Sequence, residues 1–345
     1  MSMVDRFSGA FSAKLICRMQ ALLLLVAILP LMDATAAPAA AQLAPELEAF
    51  IQDMVRKHRF SDDSLRRMFA KVEPNQAVVN AMTAPITALP WFQFRNRYVD
   101  AVRINGGLKF WREHADTLAR ARREFGVPEE IIVATIGVES IYGRRTGSFG
   151  VLEALTMLAF SYPPRARLFR SELEHYLLLT REARFDALQV KGSYAGAIGI
   201  PQFLPSSYRR YAVDFDGDNR RDLVGSVADA IGSVANYYKS HGWREGGIIA
   251  VPAAVEPDGA AALLELGIKP RLSVGELKRR GVSPAEPLEE GPAAALVVVE
   301  AAEGPSYWLG LNNFYVITRY NRSINYALAV RELAHELRAQ YGPGN

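Results

Sequence analysis

The chain has 345 residues, of which 50% are hydrophobic, and its formal net charge is +3. This is enough apolar material for one large domain or two modest ones. Because the charge is small and the Lys and Arg residues are spread along the chain, we expect a mixed, solvated surface and no binding of nucleic acid.

Residues 1–41 are predicted to be a signal peptide. Positive residues precede a short apolar run, Ala21–Met32, and small residues suited to signal-peptidase cleavage follow it near Ala36–Gln42. Pro30 and Asp33 interrupt the run, which disfavours the alternative of a membrane anchor. The only cysteine, Cys17, precedes the run, whereas a lipidation cysteine follows it, so a lipoprotein is not predicted. The mature chain would have no cysteine, which excludes disulfides, thiol nucleophiles and Cys-ligated metals.

Helical spacing of apolar residues predicts that most of the chain is α-helical. The predicted helices, in chain order, are two within Leu43–Val72, the second capped by Ser61, and then Gly107–Gly126, Pro128–Gly143, Leu152–Phe160, Arg167–Ala183, Ser226–Trp243 and Ser323–Gly342. Three segments differ: Met82–Tyr98 is Pro-punctuated and aromatic, Lys191–Tyr208 is Gly- and Ser-rich, and Asp214–Leu223 is a polar loop. Pro and Gly punctuation around the β-rich run Ala295–Glu300 predicts a small β-containing insertion over Gly247–Pro305.

Glu139 is the first candidate for a catalytic residue. On a helix, Ile132, Thr135 and Ile136 share its face and place its carboxylate against a largely apolar surface. Desolvation there raises the pKa of a carboxyl group and makes it a proton donor near neutral pH. The alternative is a glutamate at an exposed helix end, paired with one of the two arginines that follow, and the helix alone does not decide between them.

The segment Lys191–Tyr208 has the composition of a sugar-binding loop. It combines uncharged hydrogen-bonding groups with flat aromatic faces, supplied by Ser193, Gln202, Ser206, Tyr194 and Phe203. Such a combination suits an uncharged polar ligand. The alternative is a structural loop with buried polar groups.

The loop that begins at Asp214 has the spacing of a calcium-binding loop. Carboxylates occupy relative positions 1, 3, 5 and 9, and position 7 offers a main-chain carbonyl, the residues being Asp214, Asp216, Asp218, Asp222 and Arg220. Asn219 replaces the glycine expected at position 6, and Gly225 stands at position 12 instead of a glutamate. The alternative is an acidic loop paired with its own arginines. No H-E-x-x-H, G-x-S-x-G or phosphate-binding-loop motif occurs in the sequence, and its five histidines show no metal-ligand spacing.

Four long motifs together resemble a known enzyme family. They are GVPEEIIVATIGVESIYG, GSYAGAIGIPQFLPSSYRRYAVDFDGD, DAIGSVANYYKSHGW and NFYVITRYNRSINYALAV, in that order between about Trp91 and Leu337. The family they resemble is the lytic murein transglycosylase B group, glycoside hydrolase family 103. The resemblance implies a mainly α (α+β) fold, with a lysozyme-like catalytic core, a helical domain built from both chain ends and a small β-containing insertion.

The resemblance also implies domain boundaries. We expect an N-terminal helical domain over residues 42–125, the catalytic core over 126–246 with the calcium-type loop at 214–226, the β-containing insertion over 247–305, and a return to the cleft with the closing helix over 306–345.

The implied activity is cleavage of the β-1,4 bond between N-acetylmuramic acid and N-acetylglucosamine in peptidoglycan. The cleavage is non-hydrolytic and leaves a 1,6-anhydromuramoyl end. The expected partners are peptidoglycan glycan strands and cell-wall synthesis or remodelling proteins, and the expected state is a periplasmic monomer. No cofactor is required for the chemistry, and the only one implied is a structural calcium ion.

Residue by residue, the resemblance assigns Glu139 as the catalytic acid and base. It assigns substrate contacts to Ser193, Gln202, Phe203, Tyr320, Asn321 and Tyr326. It assigns calcium ligation to Asp214, Asp216, Asp218, Asp222 and the main chain of Arg220.

Two departures from the family pattern matter. Phe94 replaces a tyrosine near the glutamate, so the aromatic contact is kept and a hydrogen bond is lost. Ser226 stands where a further carboxylate is expected, with Asp229 only as a distant substitute, which predicts weak or absent calcium binding.

The motifs place no second carboxylate close to Glu139. Glycosidases that use water normally need two. A transglycosylase can use one, because the C6 hydroxyl of the substrate supplies the nucleophile. The alternatives are a hydrolytic muramidase on the same core and a non-catalytic peptidoglycan-binding protein.

Overall fold

The structure is a computed structural model, and it describes residues 45–83, 89–256 and 259–342. The predicted signal peptide lies outside these residues. Within them, no helix combines the length and the apolar character that crossing a bilayer requires.

Helices dominate the described residues, as the sequence predicts. They are α1 (Pro45–His58), α2 (Asp62–Phe69), α3 (Gln76–Thr83), α4 (Trp91–Tyr98), α5 (Ala101–Glu113), α6 (Ala115–Phe125), α7 (Glu129–Ser140), α8 (Val151–Ser161), α9 (Ala166–Ala183), α10 (Pro205–Tyr211), α11 (Val227–Ser240), α12 (Ala260–Leu264), α13 (Val274–Arg279), α14 (Asn312–Tyr320) and α15 (Ile324–Tyr341). The strands are β1 (Phe149–Gly150), β2 (Lys191–Gly192), β3 (Ala250–Val255), β4 (Leu272–Ser273), β5 (Val282–Pro284), β6 (Ala293–Ala301) and β7 (Gly304–Gly310).

The helix boundaries follow local chemistry. Ser61 caps α2 by accepting a hydrogen bond from the Ser64 N–H, and Gly126 ends α6 in the left-handed conformation. The single helix predicted over Gly107–Gly126 is wrong: the chain breaks at His114, whose ψ of 24° leaves the α conformation, and forms α5 and α6. The Pro-punctuated segment contains α4, because Pro90 stands just before its first turn, where a missing N–H costs nothing.

Helix α7 is the centre of the helical part. Every residue from Ile131 to Val138 is buried, and the helix contacts α5, α6, α11 and α15. It ends at Ser140, earlier than the predicted Gly143, because Ile141 and Tyr142 adopt φ angles of 51° and 60°. A left-handed β-branched residue is uncommon and needs support from its surroundings. Here the Ser140 hydroxyl donates to the Ile200 carbonyl at 2.6 Å, which ties the end of the helix to the loop facing it.

The two ends of the described chain pack on different helices. The N-terminal helices contact α8 and α9, for example through Phe50 against Phe160, whose ring centroids are 5.9 Å apart, and through the Glu46–Arg170 ion pair. Helix α15 instead packs on α4, α5 and α7. This packing holds the start of α15 beside the end of α7.

The β-containing insertion is a five-stranded antiparallel sheet in the order β4-β6-β7-β3-β5. It has an apolar core of its own, which includes Val251, Leu263, Val274, Leu296 and Leu309. Strand β7 continues to Gly310, past the predicted boundary at residue 305. The mainly α fold with a small sheet is confirmed, whereas the division into domains stays a prediction.

Candidate active site

Glu139 lies in the last turn of α7, directly opposite the first turn of α15. The Tyr326 hydroxyl donates a hydrogen bond to its Oε1 at 2.6 Å. Tyr326 is buried, and Ser323 caps the N-terminus of its helix by accepting from the Tyr326 N–H. The carboxylate is therefore held by one neutral donor.

Burial controls the protonation of Glu139. Burial raises the pKa of this carboxyl group to about 7, and the hydrogen bond from Tyr326 opposes the rise. No second carboxylate contributes to this pKa in the part of the chain that the structure describes. Arg144 and Arg145 are exposed and form no ion pair with Glu139, so the alternative of a paired glutamate at an exposed helix end is wrong.

Aromatic rings form a wall beside Glu139. The Tyr320 ring lies parallel to the Tyr326 ring at 6.3 Å and packs against Tyr237 at 4.8 Å and Phe203 at 5.6 Å. Its hydroxyl donates to the Pro201 carbonyl at 2.5 Å, which fixes α14 to the loop that contains Gln202. The structure thus brings the predicted residues of the second and fourth motifs together.

The predicted glycan-contacting residues Ser193 and Gln202 also brace their own loop. The Ser193 hydroxyl oxygen accepts from the Ala197 N–H at 3.0 Å. The Gln202 amide donates to the carbonyls of Thr146 and Gly199 at 2.9 and 2.8 Å. These bonds leave the Ser193 hydroxyl proton and the Gln202 carbonyl oxygen for a ligand, so the loop is both structural and equipped to bind.

Close backbone approach holds this loop against the segment that follows α7. Gly147 has a φ of 99°, and a Cβ on it would lie 2.0 Å from the Gly192 carbonyl oxygen. Only glycine fits there. The pairing of β1 with β2 continues this contact.

The predicted substrate contacts of Phe94 and Phe203 need correction, because both side chains are buried. Phe94 and Phe203 are 1% and 2% exposed, and Phe203 packs against Tyr237 and Tyr320, so neither ring presents an open face to the cleft. Phe94 stacks on Tyr98, with ring centroids 4.4 Å apart. Burial raises the pKa of Tyr98, and the charge of Glu139 raises it further, which places this half-buried hydroxyl in the electrostatic environment of the carboxylate.

The sequence indicated one of the remaining residues near Glu139 and missed two others. Asn321, half-buried, directly follows α14 at the edge of the wall, where the fourth motif implied it. Tyr98 and Tyr237 lie in the electrostatic environment of Glu139 but were not among the predicted site residues. Tyr237 falls within the third motif and Tyr98 within the aromatic segment Met82–Tyr98, but only the packing of their helices shows that they lie near Glu139.

The acidic loop forms a compact cluster of carboxylates. Oxygens of Asp214, Asp216 and Asp229 all lie within 4.8 Å of one another. Hard oxygen donors in this arrangement fit a calcium ion. Asp229, in the first turn of α11, is therefore a closer partner than the sequence indicated.

The other predicted ligands of the loop accept hydrogen bonds from main-chain N–H groups, as Asp214 and Asp229 also do. Asp222 accepts hydrogen bonds from the N–H groups of Val224 and Gly225, both at 2.9 Å, and Asp218 accepts from the Arg220 N–H at 2.8 Å. The carboxylates of the loop thus bind backbone amides, and the alternative of pairing with the side chains of the loop arginines is not what the structure shows.

Comparison with known proteins agrees with this arrangement. Residues 42–335 match the family described as the transglycosylase SLT domain. Over 299 residues the chain is 42% identical to membrane-bound lytic murein transglycosylase B of Escherichia coli strain K12, covering 84% of this chain and 81% of that protein.

Solved structures of lytic transglycosylases are also similar to this chain. The E. coli lytic transglycosylase Slt35 in complex with calcium is 40% identical with a TM-score of 0.78, covering 86% of this chain and 94% of that one. SltB3 from Pseudomonas aeruginosa in complex with NAG-anhNAM-pentapeptide is 33% identical with a TM-score of 0.72, covering 84% and 78%. The resemblance found in the sequence is confirmed: this chain belongs to the SLT-domain lytic transglycosylases, enzymes that cleave peptidoglycan.

Proposed function

We propose that Glu139 alone carries out the acid and base steps of non-hydrolytic peptidoglycan cleavage. The observation that carries this proposal is a desolvated carboxyl group with one neutral hydrogen-bond donor and a pKa raised to about 7. A group with this pKa holds its proton in a useful fraction of molecules at neutral pH and can also take one back.

The reaction needs one proton to leave Glu139 and one to return. Protonated Glu139 donates to the glycosidic oxygen between N-acetylmuramic acid and N-acetylglucosamine while the bond from that oxygen to C1 breaks. The resulting carboxylate, stabilised by the Tyr326 hydroxyl, accepts the proton of the C6 hydroxyl on the same muramoyl residue. The C6 oxygen attacks C1, which gives the 1,6-anhydro ring and restores the acid.

The substrate takes the place of a second catalytic carboxylate. An intramolecular hydroxyl has a high effective concentration at C1, so no water has to be positioned. Assistance at C1 by the 2-acetamido group is part of the same proposal. The main competing reaction is hydrolysis by a muramidase, which normally uses a second carboxylate.

Four side chains are proposed to contact the glycan. The Ser193 hydroxyl and the Gln202 carbonyl retain hydrogen-bonding capacity toward the cleft, Asn321 lies at its edge, and Tyr320 offers a half-buried ring. Tyr326 acts through Glu139. Phe94 and Phe203 are proposed to support the wall from behind.

A structural calcium ion is proposed at the acidic loop. Asp214, Asp216 and Asp229 would hold it, and ligation by Asp218, Asp222 and the main chain of Arg220 stays a prediction from sequence. The ion would fix the connection between α10 and α11 and supply no step of the chemistry. Support comes from the carboxylate cluster and from the calcium complex of the Slt35 relative.

Export to the periplasm is proposed from sequence alone, through a signal peptide over residues 1–41. The substrate there would be the glycan strands of peptidoglycan. A monomeric state and contacts with other cell-wall proteins also stay predictions.

The Glu139→Gln variant tests the proposed function. It keeps the size of the side chain and an acceptor for the Tyr326 hydroxyl but removes the proton, so we expect binding to purified sacculi to be retained and turnover to fall by about 100-fold or more. Glu113→Gln, at an exposed position on α5, is the matched control and keeps full activity. Solubilisation of sacculi by Glu139→Gln at the wild-type rate would refute the assignment.

A further inference from the structure

Tyr238 carries a buried hydroxyl group that the proposed mechanism does not use. It belongs to the third sequence motif and lies on α11, where its side chain is fully buried. Its ring packs against the Tyr320 ring at 5.7 Å, and Tyr326 packs against that same ring at 6.3 Å. Because a buried hydroxyl needs hydrogen-bond partners, its neighbours indicate what it does.

The hydrogen bonds around Tyr238 fix the direction of its hydroxyl. The Thr135 hydroxyl lies 2.7 Å from the Ile131 carbonyl oxygen, which can only accept, so Thr135 is the donor there. The Tyr238 hydroxyl lies 2.8 Å from the same Thr135 oxygen. Since the single Thr135 proton is already used, Tyr238 donates to Thr135. The oxygen of Tyr238 is therefore left to accept a hydrogen bond from another donor.

Tyr326 is the neighbouring donor. Burial raises the pKa of Tyr238, and hydrogen bonds with Thr135 and Tyr326 oppose the rise, so the Tyr326 hydroxyl lies close to it. In the structure the Tyr326 hydroxyl donates to Glu139 Oε1 at 2.6 Å. A hydroxyl has one proton to donate. The carboxylate of Glu139 and the oxygen of Tyr238 therefore compete for the same donor.

The other groups around Glu139 do not take part in this competition. Five tyrosines on α4, α11, α14 and α15 surround it, because burial raises the pKa of each and the charge of Glu139 raises it further: Tyr98, Tyr237, Tyr238, Tyr320 and Tyr326. The hydroxyls of Tyr237 and Tyr320 donate to main-chain carbonyls at 2.5 Å. On α5, the Arg103 guanidinium donates to the Gly137 carbonyl and pairs with Asp100. No charged side chain in the described residues contributes to the pKa of Glu139, which depends on burial and on Tyr326.

The competition affects the two protonation states of Glu139 differently. A hydrogen bond to a charged carboxylate is roughly twice as strong as one to a neutral group, so Tyr326 donates to Glu139 when that group is charged. When Glu139 holds its proton it is a weaker acceptor, and the Tyr238 oxygen becomes an alternative of similar strength. The alternative stabilises the protonated form, which is the form that starts the reaction.

We propose that Tyr238 is a positioning residue that accepts a hydrogen bond from Tyr326 whenever Glu139 carries its proton. This rests on the proposed function, because it takes Glu139 as the acid. Thr135 orients Tyr238 by accepting its proton in a hydrogen bond, which keeps the Tyr238 oxygen available to Tyr326. Only hydrogen bonds are exchanged, and no covalent bond is made or broken.

The pH profile of kcat/KM in the Tyr238→Phe variant tests the proposal. Without the second acceptor the protonated form of Glu139 loses stabilisation, so the alkaline limb should move to lower pH by about 1 unit, the size expected for one neutral hydrogen bond. The direction is opposite to the one expected for Tyr326→Phe. A limb that stays in place or moves to higher pH would overturn the proposal.

Variants of Thr135 test the orientation of the Tyr238 hydroxyl. In Thr135→Val the Tyr238 proton loses its acceptor and turns to the Tyr326 oxygen, which holds the Tyr326 proton on Glu139. The limb should again move to lower pH, and Thr135→Ser should restore its wild-type position. A limb that moves equally in the valine and serine variants would contradict this role of the Thr135 hydroxyl.

A double-mutant cycle and a control variant exclude a general effect on packing. In the Tyr326→Phe background, Tyr238→Phe should leave the limb in place, since no donor is shared. Tyr176→Phe is the matched control, because that hydroxyl is equally buried and donates to the Ala187 carbonyl at 2.6 Å. An equal shift in both backgrounds, or the same shift in Tyr176→Phe, would overturn the proposal.

The carboxyl resonance of Glu139 separates this inference from the proposed function. It is followed by NMR in protein containing isotopically labelled glutamate, and Glu139→Gln identifies it. Its titration midpoint should move to lower pH in Tyr238→Phe whether or not Glu139 cleaves the glycan. An unchanged midpoint would overturn the role of Tyr238, whereas a moved midpoint with an unchanged pH profile of kcat/KM would contradict only the catalytic assignment of Glu139.

Discussion

Glu139 and Tyr326 form the smallest unit on which the proposed activity depends. The carboxyl group is raised to a pKa of about 7 by burial, and a single hydroxyl at 2.6 Å stabilises its charged form. The opposing effects keep the group able to donate and accept a proton. This pair of residues therefore leads to two predictions, one on the pH dependence of activity and one on the pH dependence of stability.

The first prediction concerns pH and Tyr326. The first step needs protonated Glu139, so the rate falls as pH rises through about 7. Tyr326→Phe removes the bond that lowers this pKa, so the alkaline limb of the kcat/KM profile should move to higher pH. Profiles of the variant and wild type check this, and a limb that stays in place or moves to lower pH would contradict it.

The second prediction concerns stability. The unfolded carboxyl has the ordinary pKa of 4.5 and the folded one about 7, so the unfolded state releases its proton first and the free energy of unfolding falls as pH rises between these values. The loss is about 3 kcal/mol at most, at about 1.4 kcal/mol per pKa unit. Glu139→Gln does not titrate and should gain stability over wild type as pH rises from about 4 to about 8.

Denaturant unfolding of both proteins across this pH range checks the second prediction. Glu113→Gln, at its exposed position, should show no such trend. A stability difference between Glu139→Gln and wild type that is the same at every pH would mean that the carboxyl is not desolvated.

The sequence predicted Glu139 better than its surroundings. The apolar face of its helix indicated burial, and Ile132, Thr135 and Ile136 are indeed buried. The sequence could not indicate that Phe94 and Phe203 are buried. An aromatic residue in a loop or short helix has the same sequence pattern whether it lines a cleft or packs behind it. Only the packing of distant helices decides between these roles.

At the scale of elements, the junction between α11 and the β-containing insertion depends on Asn313. This residue is buried at the start of α14, and its amide accepts from the Arg244 N–H at 2.9 Å and donates to the carbonyls of Arg244 and Gly247 at 2.8 and 2.9 Å. One side chain thus satisfies three backbone groups in the connection to β3.

Asn313→Ala should therefore destabilise the protein by about 2–4 kcal/mol, since buried polar groups would lose their partners. Asn312→Ala is the matched control, because that half-exposed amide donates to the Gly242 carbonyl at 2.8 Å and, at 3.2 Å, to Asn313 Oδ1, which keeps its bond from the Arg244 N–H; its loss should cost less than about 1 kcal/mol. Chemical denaturation measures both. Equal losses in the two variants would show that the junction is held by other contacts.

Element boundaries were predictable where a cap or stop residue marks them. Ser61 and Gly126 are such residues. The break at His114 has no such signal, because the apolar spacing continues through it and tertiary packing redirects the chain. The small sheet was predictable from one β-rich run, but its strand order depends on pairings between distant segments.

At the scale of the whole molecule, the acidic loop connects α10 to α11. The carboxylates of Asp214, Asp216 and Asp229 lie close enough to repel one another, main-chain N–H groups offset part of this repulsion, and a cation between them would offset more. Their position predicts that calcium stabilises the whole fold, because an ion that binds only the folded state adds its binding free energy.

Calcium in excess should raise the midpoint of thermal unfolding by a few degrees, and a chelator should reverse the change. Asp214→Asn and Asp229→Asn should abolish the response. Asp222→Asn should keep it, because the Asp222 carboxylate is not part of the cluster that Asp214, Asp216 and Asp229 form. Loss of the response in Asp222→Asn alone would favour the ligand set that the sequence spacing indicated.

The central claim is that one carboxylate cleaves the glycan without water, and product mass tests it most directly. Purified sacculi digested with the wild-type enzyme should give muropeptides one water molecule lighter than those from a hydrolytic muramidase, with 1,6-anhydromuramoyl ends. Digests that contain only reducing-end products would contradict the account, since a water molecule would then have taken the place of the C6 hydroxyl.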